Sequence, residues 1–314
     1  MKRTLQEITV EVIQKCNSNC IYCSSLSKFN SSDENEIPLA EFKELVLFAK
    51  EKNAESINIS GGEPLLKEDL PDLIAFCSQN GLKANVYTSG NINIDGFINK
   101  ISSIDKTLIK LIFNYQSSDA NIFNRLVNCS DFGLETVNKN IQTCISQGYD
   151  VEVHLVPNAL NLGTIYQTCK NLKSMGVKQV SLLKMVFQGR AKNNKDLLEI
   201  KKTSDLEEII EKIHTNICDS DFTLRCGIPF NKLAKQDLSC VAGYQKLIIR
   251  YDGIVFPCEA FKEAPNNHKY ILGNIYKNTL IEIWDKYHIM DELKKLKSHS
   301  NASCESCPAQ LLYK

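Results

Sequence analysis

Six apolar runs punctuate the first two-thirds of the chain: ITVEVI (8–13), ESINIS (55–60), LKANVYT (82–88), TLIKLIF (107–113), YDVEVHLV (149–156) and KQVSLLKMV (178–186). They are short and mostly rich in β-branched residues, which predicts strands. Between and after them, apolar residues recur every three to four positions over 39–52, 70–80, 133–148, 164–176 and 204–217, which predicts helices. Several of these stretches stop at Gly, a common residue just past a helix end. Strands alternating with helices predict an α/β fold with a parallel sheet and right-handed crossovers. Six such units suit a partial (β/α)6 TIM-like barrel.

The pattern changes after about residue 220. YQKLIIRYDGIVFPC (244–258) predicts a β-hairpin turning at Asp252-Gly253. TLIEIWDKYHIMDELKKL (279–296) predicts an amphipathic helix. The expected division is a barrel over 1–220 and a small α+β domain over 221–314. The second part has few apolar residues of its own, so a metal centre would help to hold it together.

Charge excludes some classes of partner. The 314 residues carry 37 Lys plus Arg against 37 Asp plus Glu, so no overall field draws the chain to nucleic acid or membrane. MKRTLQEITV enters a strand-like alternation without the apolar core of a signal peptide. No run approaches the roughly 18 apolar residues of a membrane span. The expectation is a cytoplasmic protein, where stable disulfides are uncommon.

Cysteine usage changes the picture. There are 13 cysteines. Cys77, Cys144 and Cys169 lie among apolar neighbours in helical stretches and read as small buried hydrophobes; Cys129, Cys218 and Cys226 are also single. The others are grouped: Cys16, Cys20 and Cys23 near the front, then Cys240, Cys258, Cys304 and Cys307.

The first set, C-x3-C-x2-C, follows strand one. A structural zinc site closes with four ligands, but the nearest histidine in sequence is His154. Three thiolates suit a 4Fe–4S cluster with one iron left open. Other motifs also follow strands: SGGEP (60–64) after the second, TSGN (88–91) after the third, Asn114 at the end of the fourth, QGRA (188–191) after the sixth. In a β/α barrel the loops at these strand ends carry the chemistry.

The cysteine spacing, with Tyr22 before the third cysteine and Gly61-Gly62-Glu63-Pro64 after strand two, resembles the radical S-adenosylmethionine (SAM) superfamily. The resemblance implies that Cys16, Cys20 and Cys23 hold a 4Fe–4S cluster whose open iron binds the methionine end of SAM. It also implies that one electron cleaves SAM to a 5′-deoxyadenosyl radical, which takes a hydrogen atom from substrate. Backbone near Gly61, Gly62 and Glu63 would meet the methionyl ammonium, the glycines permitting close approach to the ligand. Ser89, Asn91 and Asn114 sit where the superfamily contacts ribose or methionine; they also read as turn formers and strand ends. Arg190 reads as a contact to a SAM carboxylate or substrate, or as an exposed loop arginine. Glu11 and His154 are functional only if they face the barrel interior, and for His154 a satisfied core histidine is the plainer reading.

The tail resembles the auxiliary-cluster extension called SPASM, in which C-x(9–15)-G-x4-C is met here by Cys240, Gly253 and Cys258. The chain as given stops seven residues after Cys307, so the expected form is the shortened twitch, with one auxiliary 4Fe–4S cluster on Cys240, Cys258, Cys304 and Cys307. Zinc on the same four cysteines is the structural alternative. Cys226 has three open readings: alternative ligand, hydrogen-atom donor, or inert thiol. Glu259 reads as a base near the auxiliary cluster or as a surface carboxylate.

The substrate expected is a ribosomally made peptide, to be crosslinked or epimerised. No leader-binding domain is expected ahead of strand one, so recognition would fall to the barrel or a separate leader-binding protein. An aminocyclitol or sugar dehydrogenase is the alternative, and a non-catalytic iron–sulfur or zinc module is a third reading of another class. Either enzyme would need an external electron donor of flavodoxin or ferredoxin type.

Overall fold

The computed structural model describes residues 4–25, 27–29, 35–129, 133–226, 241–263 and 267–286. Its centre is a ten-stranded sheet. Seven parallel strands follow in chain order: β1 (Glu7–Glu11), β2 (Ser56–Ser60), β3 (Lys83–Thr88), β4 (Ile109–Asn114), β5 (Asp150–Leu155), β6 (Gln179–Leu182) and β7 (Thr223–Cys226). The expected α/β partial barrel is thus present, with one strand more than the six units read from sequence. That seventh strand lies past residue 220.

The hairpin is formed by β8 (Lys246–Ile249) and β9 (Ile254–Phe256), with β10 (Gly273–Asn274) antiparallel beyond it. Strand β8 pairs in parallel with β1, placing Glu7 opposite Lys246 and Val10 opposite Ile249. The hairpin therefore continues the barrel sheet at its β1 edge.

Helices α1 (Leu39–Glu51), α2 (Leu70–Gln79), α5 (Leu134–Ser146), α6 (Ile165–Ser174) and α7 (Thr203–Asn216) lie where periodicity places them. Two were not read from sequence: α3 (Asp95–Ile101) and α4 (Ala120–Val127), the latter capped by Asp119, which accepts from the backbone of Asn121 and Ile122. A short helix, α8 (Leu280–Asp285), opens with a Thr279–Glu282 capping box.

Strand alternation sorts the two faces of the sheet. Val10, Ile59, Val86, Phe113, Val153, Leu182 and Leu224 are buried in the apolar core. The opposite face carries Thr9, Glu11, Asn58, Glu152, His154 and Ser181, buried but polar. Toward the strand starts it lines an open pocket of about 250 Å³ bordered by Glu7, Glu55, Asn58, Lys83, Glu152 and His154. Glu11 and His154 thus face the interior. Cys77, Cys144 and Cys169 are fully buried in the core, as expected of small hydrophobes.

Candidate active site at the strand ends

The cysteine loop leaves β1 and is held from three sides. Ile21 and Asn19 donate backbone hydrogen bonds to Leu126 and Asn128 at the end of α4, at 3.0 and 3.3 Å. Arg190, after β6, donates from Nε to the Cys20 carbonyl (2.9 Å), from Nη1 to the Ser27 carbonyl (2.8 Å) and from Nη2 to Ser27 Oγ (3.0 Å). Gly189 has φ 56°, and a Cβ there would lie 2.9 Å from the carbonyls of both Cys23 and Ser25. Only glycine lets the two loops meet so closely.

The three thiols share one locus. Burial pushes Cys16 up to about 12, with the charge of Glu63 adding to it. Burial also pushes Cys20 up, and the neighbouring Cys16 and Cys23 push it further. Without a metal such thiols stay protonated, so binding must displace protons. Among the described residues no three His, Cys, Asp or Glu side chains could hold a single metal ion. Three thiols near one another suit a cluster, whose irons each take their own thiolate. The Tyr22 hydroxyl lies beside Cys20 and Gln116. Gln116 is fully buried and accepts from the Val156 backbone at 3.1 Å.

The glycine pair also serves the fold. The close approach it permits here is to the cysteine loop itself. Gly62 N donates to Ile13 O (2.6 Å) and Glu63 N to Lys15 O (2.9 Å). A Cβ on Gly61 would stand 2.4 Å from Ile13 O, and one on Gly62 2.0 Å from Lys15 O. The loop after β2 is therefore zipped to the start of the cysteine loop.

Glu63 is fully buried and accepts four hydrogen bonds. Oε1 takes Thr88 Oγ1 (2.7 Å) and Leu65 N (3.2 Å), while Oε2 takes Ser89 N (2.8 Å) and Ser89 Oγ (2.6 Å). Burial raises its pKa, and the hydrogen bonds from Ser89 and Thr88 pull back. Its carboxylate is thus a brace between the ends of β2 and β3. Pro64, also buried, starts the short turn that follows. Ser89 Oγ accepts from Asn91 N at 3.2 Å. The Asn91 carbonyl accepts from Asn17 Nδ2 at 2.7 Å, tying this loop to the cysteine loop. Asn91 Oδ1 is buried and has no hydrogen-bond partner among the described residues. An acceptor left open beside the thiols fits a polar ligand there. Asn114 closes β4, half-buried and in register with His154.

Three expectations for catalytic side chains change. Cys226 ends β7 opposite Leu182, on the apolar face, where it is 4% exposed and lies near Cys169 and Cys218. A thiol behind the barrel wall is not placed to give a hydrogen atom to anything inside it. Arg190 spends three donors on the cysteine loop, so it is neither an idle loop residue nor a cation free to turn to a ligand. Glu259 pairs with Lys246 Nζ at 2.6 Å. Burial would raise this carboxyl, but Lys246 outweighs it and holds the group down at about 2. A carboxylate of that acidity is a weak base at neutral pH.

Cys258 lies beside Glu259, Sγ to Oε2 3.5 Å. Its expected companions Cys240, Cys304 and Cys307 lie outside the described residues. Sequence reasoning also missed two lysines: Lys246, and Lys262, which reaches Glu11 in the interior. His154 donates or accepts through Nε2 with Glu152 Oε1 at 3.0 Å, and Ser181 Oγ donates to the same oxygen at 2.6 Å.

Fold and site together define a barrel enzyme frame with a three-thiol cluster loop at its strand ends. The sequence profile of the Radical SAM superfamily matches residues 10–202, and that of SPASM, an iron–sulfur cluster-binding domain, matches residues 240–308. The chain belongs to the radical SAM superfamily, a family of enzymes. Its cofactors are SAM, the 4Fe–4S cluster that binds it, and iron–sulfur in the SPASM domain.

The chain is similar to an Fe-coproporphyrin III synthase of Methanosarcina barkeri, 22% identical and covering 94% of this chain and 77% of that one. It is also similar to crystal structures of Streptococcus suis SuiB. The SAM-bound form gives a TM-score of 0.79 at 17% identity, covering 99% of this chain and 75% of that one. The form bound to the precursor peptide SuiA gives 0.78 at 17% identity, covering 99% and 74%. Among the described residues no helix is long and apolar enough to cross a membrane.

Proposed function

We propose that this enzyme modifies a ribosomally synthesised peptide by hydrogen-atom abstraction, installing a crosslink or inverting a stereocentre. The observation that most supports a peptide is the likeness, over 99% of this chain, to SuiB holding its precursor peptide. Reductive cleavage of SAM would supply the abstracting radical. Cys16, Cys20 and Cys23 would hold the cluster, with Tyr22, Gly61, Gly62, Pro64, Ser89, Asn91 and Asn114 around SAM and Glu63 bracing the loops beneath it. Cys240, Cys258, Cys304 and Cys307 would hold one auxiliary 4Fe–4S cluster in the C-terminal part of the chain, past β7. An external flavodoxin- or ferredoxin-type donor would supply the electron, and a separate protein could present the leader.

A small-molecule substrate is the second reading. The Fe-coproporphyrin III synthase relative favours it. The test is anaerobic reconstitution with iron and sulfide, then SAM and dithionite. Formation of 5′-deoxyadenosine is expected, and its absence would sink both readings. A precursor peptide encoded beside the gene should then change in mass or stereochemistry. An unaltered peptide, with turnover of a small molecule instead, would move the assignment to the second reading.

A further inference from the structure

A buried ion pair joins the C-terminal segment to the cysteine loop, and neither partner belongs to a cysteine or glycine motif. Lys262 stands four positions past Cys258, and its Nζ meets Glu11 Oε1. It also donates to Ser25 Oγ at 3.0 Å, and Ser25 Oγ donates to Glu11 Oε1 at 2.9 Å. The lysine and glutamate side chains are 7% and 4% exposed. Burying two opposite charges commonly stabilises a fold no more than apolar residues of the same volume would. Stability alone therefore gives little reason for the pair.

Its position gives a better one. Ser25 is two residues past Cys23, and Cys23 Sγ lies 3.4 Å from the Ser25 carbonyl. Burial by itself would lower the Lys262 ammonium, but the paired Glu11 more than reverses this. The lysine stays charged, and through Ser25 it sits on the turn that carries the Cys23 sulfur. The same turn is anchored to the loop after β6. Gln188 Nε2 donates to the Glu259 carbonyl (2.9 Å), and Glu263 N donates to Gln188 Oε1 (3.2 Å). Two residues on, Arg190 grips Cys20 and Ser27.

We propose that Lys262 is a positioning residue for the SAM-binding cluster: it fixes the Cys23 loop through Ser25 and raises that cluster's reduction potential by its buried positive charge. The inference rests on the cluster assignment made above. A reduced cluster carries one more negative charge than an oxidised one, so a nearby cation favours the reduced form. Docking of the auxiliary segment then sets how readily the first cluster accepts an electron.

The test is a redox titration of the anaerobically reconstituted full chain, read by electron paramagnetic resonance. The first cluster is the one whose signal changes when SAM is added. Lys262→Met should keep that signal but lower its reduction constant on the order of tenfold, the scale on which a nearby unit charge acts at an effective dielectric of about 20. Tenfold is ~59 mV for one electron. Lys262→Arg should restore most of it. An unchanged potential in Lys262→Met, or an equal fall in Lys262→Arg, overturns the proposal. Should Lys262→Met lose its iron, Glu11→Gln/Lys262→Met removes both charges. A smaller fall there supports the proposal, and a wild-type potential overturns it. If the wild-type chain shows no signal that responds to SAM, the cluster assignment itself fails, and this inference with it.

Discussion

Glu63→Gln is a sharp test of the site's internal bracing. The amide keeps the size of the carboxylate but replaces one acceptor oxygen with an NH2 donor. Each oxygen of Glu63 receives two hydrogen bonds, one of them from a backbone N–H: Leu65 N on Oε1, Ser89 N on Oε2. Whichever way the glutamine turns, its NH2 faces a backbone donor that cannot rotate away. The gentler orientation sets it against Leu65 N and Thr88 Oγ1, because the Leu65 bond is the longest of the four at 3.2 Å. Even there two buried donors lose their acceptor, at roughly 1–3 kcal/mol each. The expected loss is about 2–6 kcal/mol.

Urea denaturation of the apo-protein, followed by far-ultraviolet circular dichroism, reads that loss directly. With a slope near ~3 kcal/mol/M, the midpoint should fall on the order of 1 M. Ser89→Ala, which takes one donor from the carboxylate and one acceptor from Asn91 N, should cost less, about 1–2 kcal/mol. A Glu63→Gln protein with the wild-type midpoint would refute the reasoning. It would mean that the carboxylate does not brace the two strand ends.

Gly62→Ala should leave far-ultraviolet spectra intact yet lower iron bound on reconstitution, because the new methyl meets Lys15 O at 2.0 Å and must push the cysteine loop away; Gly96→Ala, with nothing within 4 Å, should stabilise helix α3 by about 0.5–1 kcal/mol. Cys226→Ala should keep SAM cleavage at the wild-type rate and cost roughly 1 kcal/mol of stability, the price of a small core truncation. Lys246 depresses Glu259, so the folded state binds its proton less readily than the unfolded chain does. That contribution should be present above about pH 4.5 and fade as pH falls toward about 2. Urea midpoints of the apo-protein across this range should show the slope, and Lys246→Met should flatten it.

The barrel was legible because its strands carry apolar residues on one face and end in turn-forming motifs. The six longest runs supply enough positions to reveal that face. Strand β7, TLRC, and helix α3, DGFINKI, are too short for a period to emerge. Helix α4 is only eight residues long, and its start is fixed by a single aspartate cap. The cysteine and glycine motifs were legible as neighbours on consecutive strand ends, but not what the glycines touch. That contact, Gly62 against Lys15, depends on two loops meeting across the sheet. The choice among the readings of Cys226 was not legible for a related reason: one residue of register decides which face of a strand a side chain takes. Nothing local marked β7's register.

The polar contacts missed in the sequence share a physical character. Glu11 and Lys262 are separated by 251 positions, and neither has an unusual neighbour. Their pairing follows from tertiary structure: β8 lies parallel to β1, β9 runs back antiparallel, and Arg250 Nη1, just past β8, then holds the Lys262 carbonyl, in the turn after β9, at 3.2 Å near the end of β1 where Glu11 sits. A lysine in that turn can reach the interior only because the hairpin extends the barrel sheet. The same geometry puts Cys258 and Glu259 close to the loop after β6, through Gln188. The auxiliary segment and the cysteine loop therefore share one hydrogen-bonded frame. Lys262, Gln188 and Arg190 are the contacts that join the segment to the backbone carrying the three thiols.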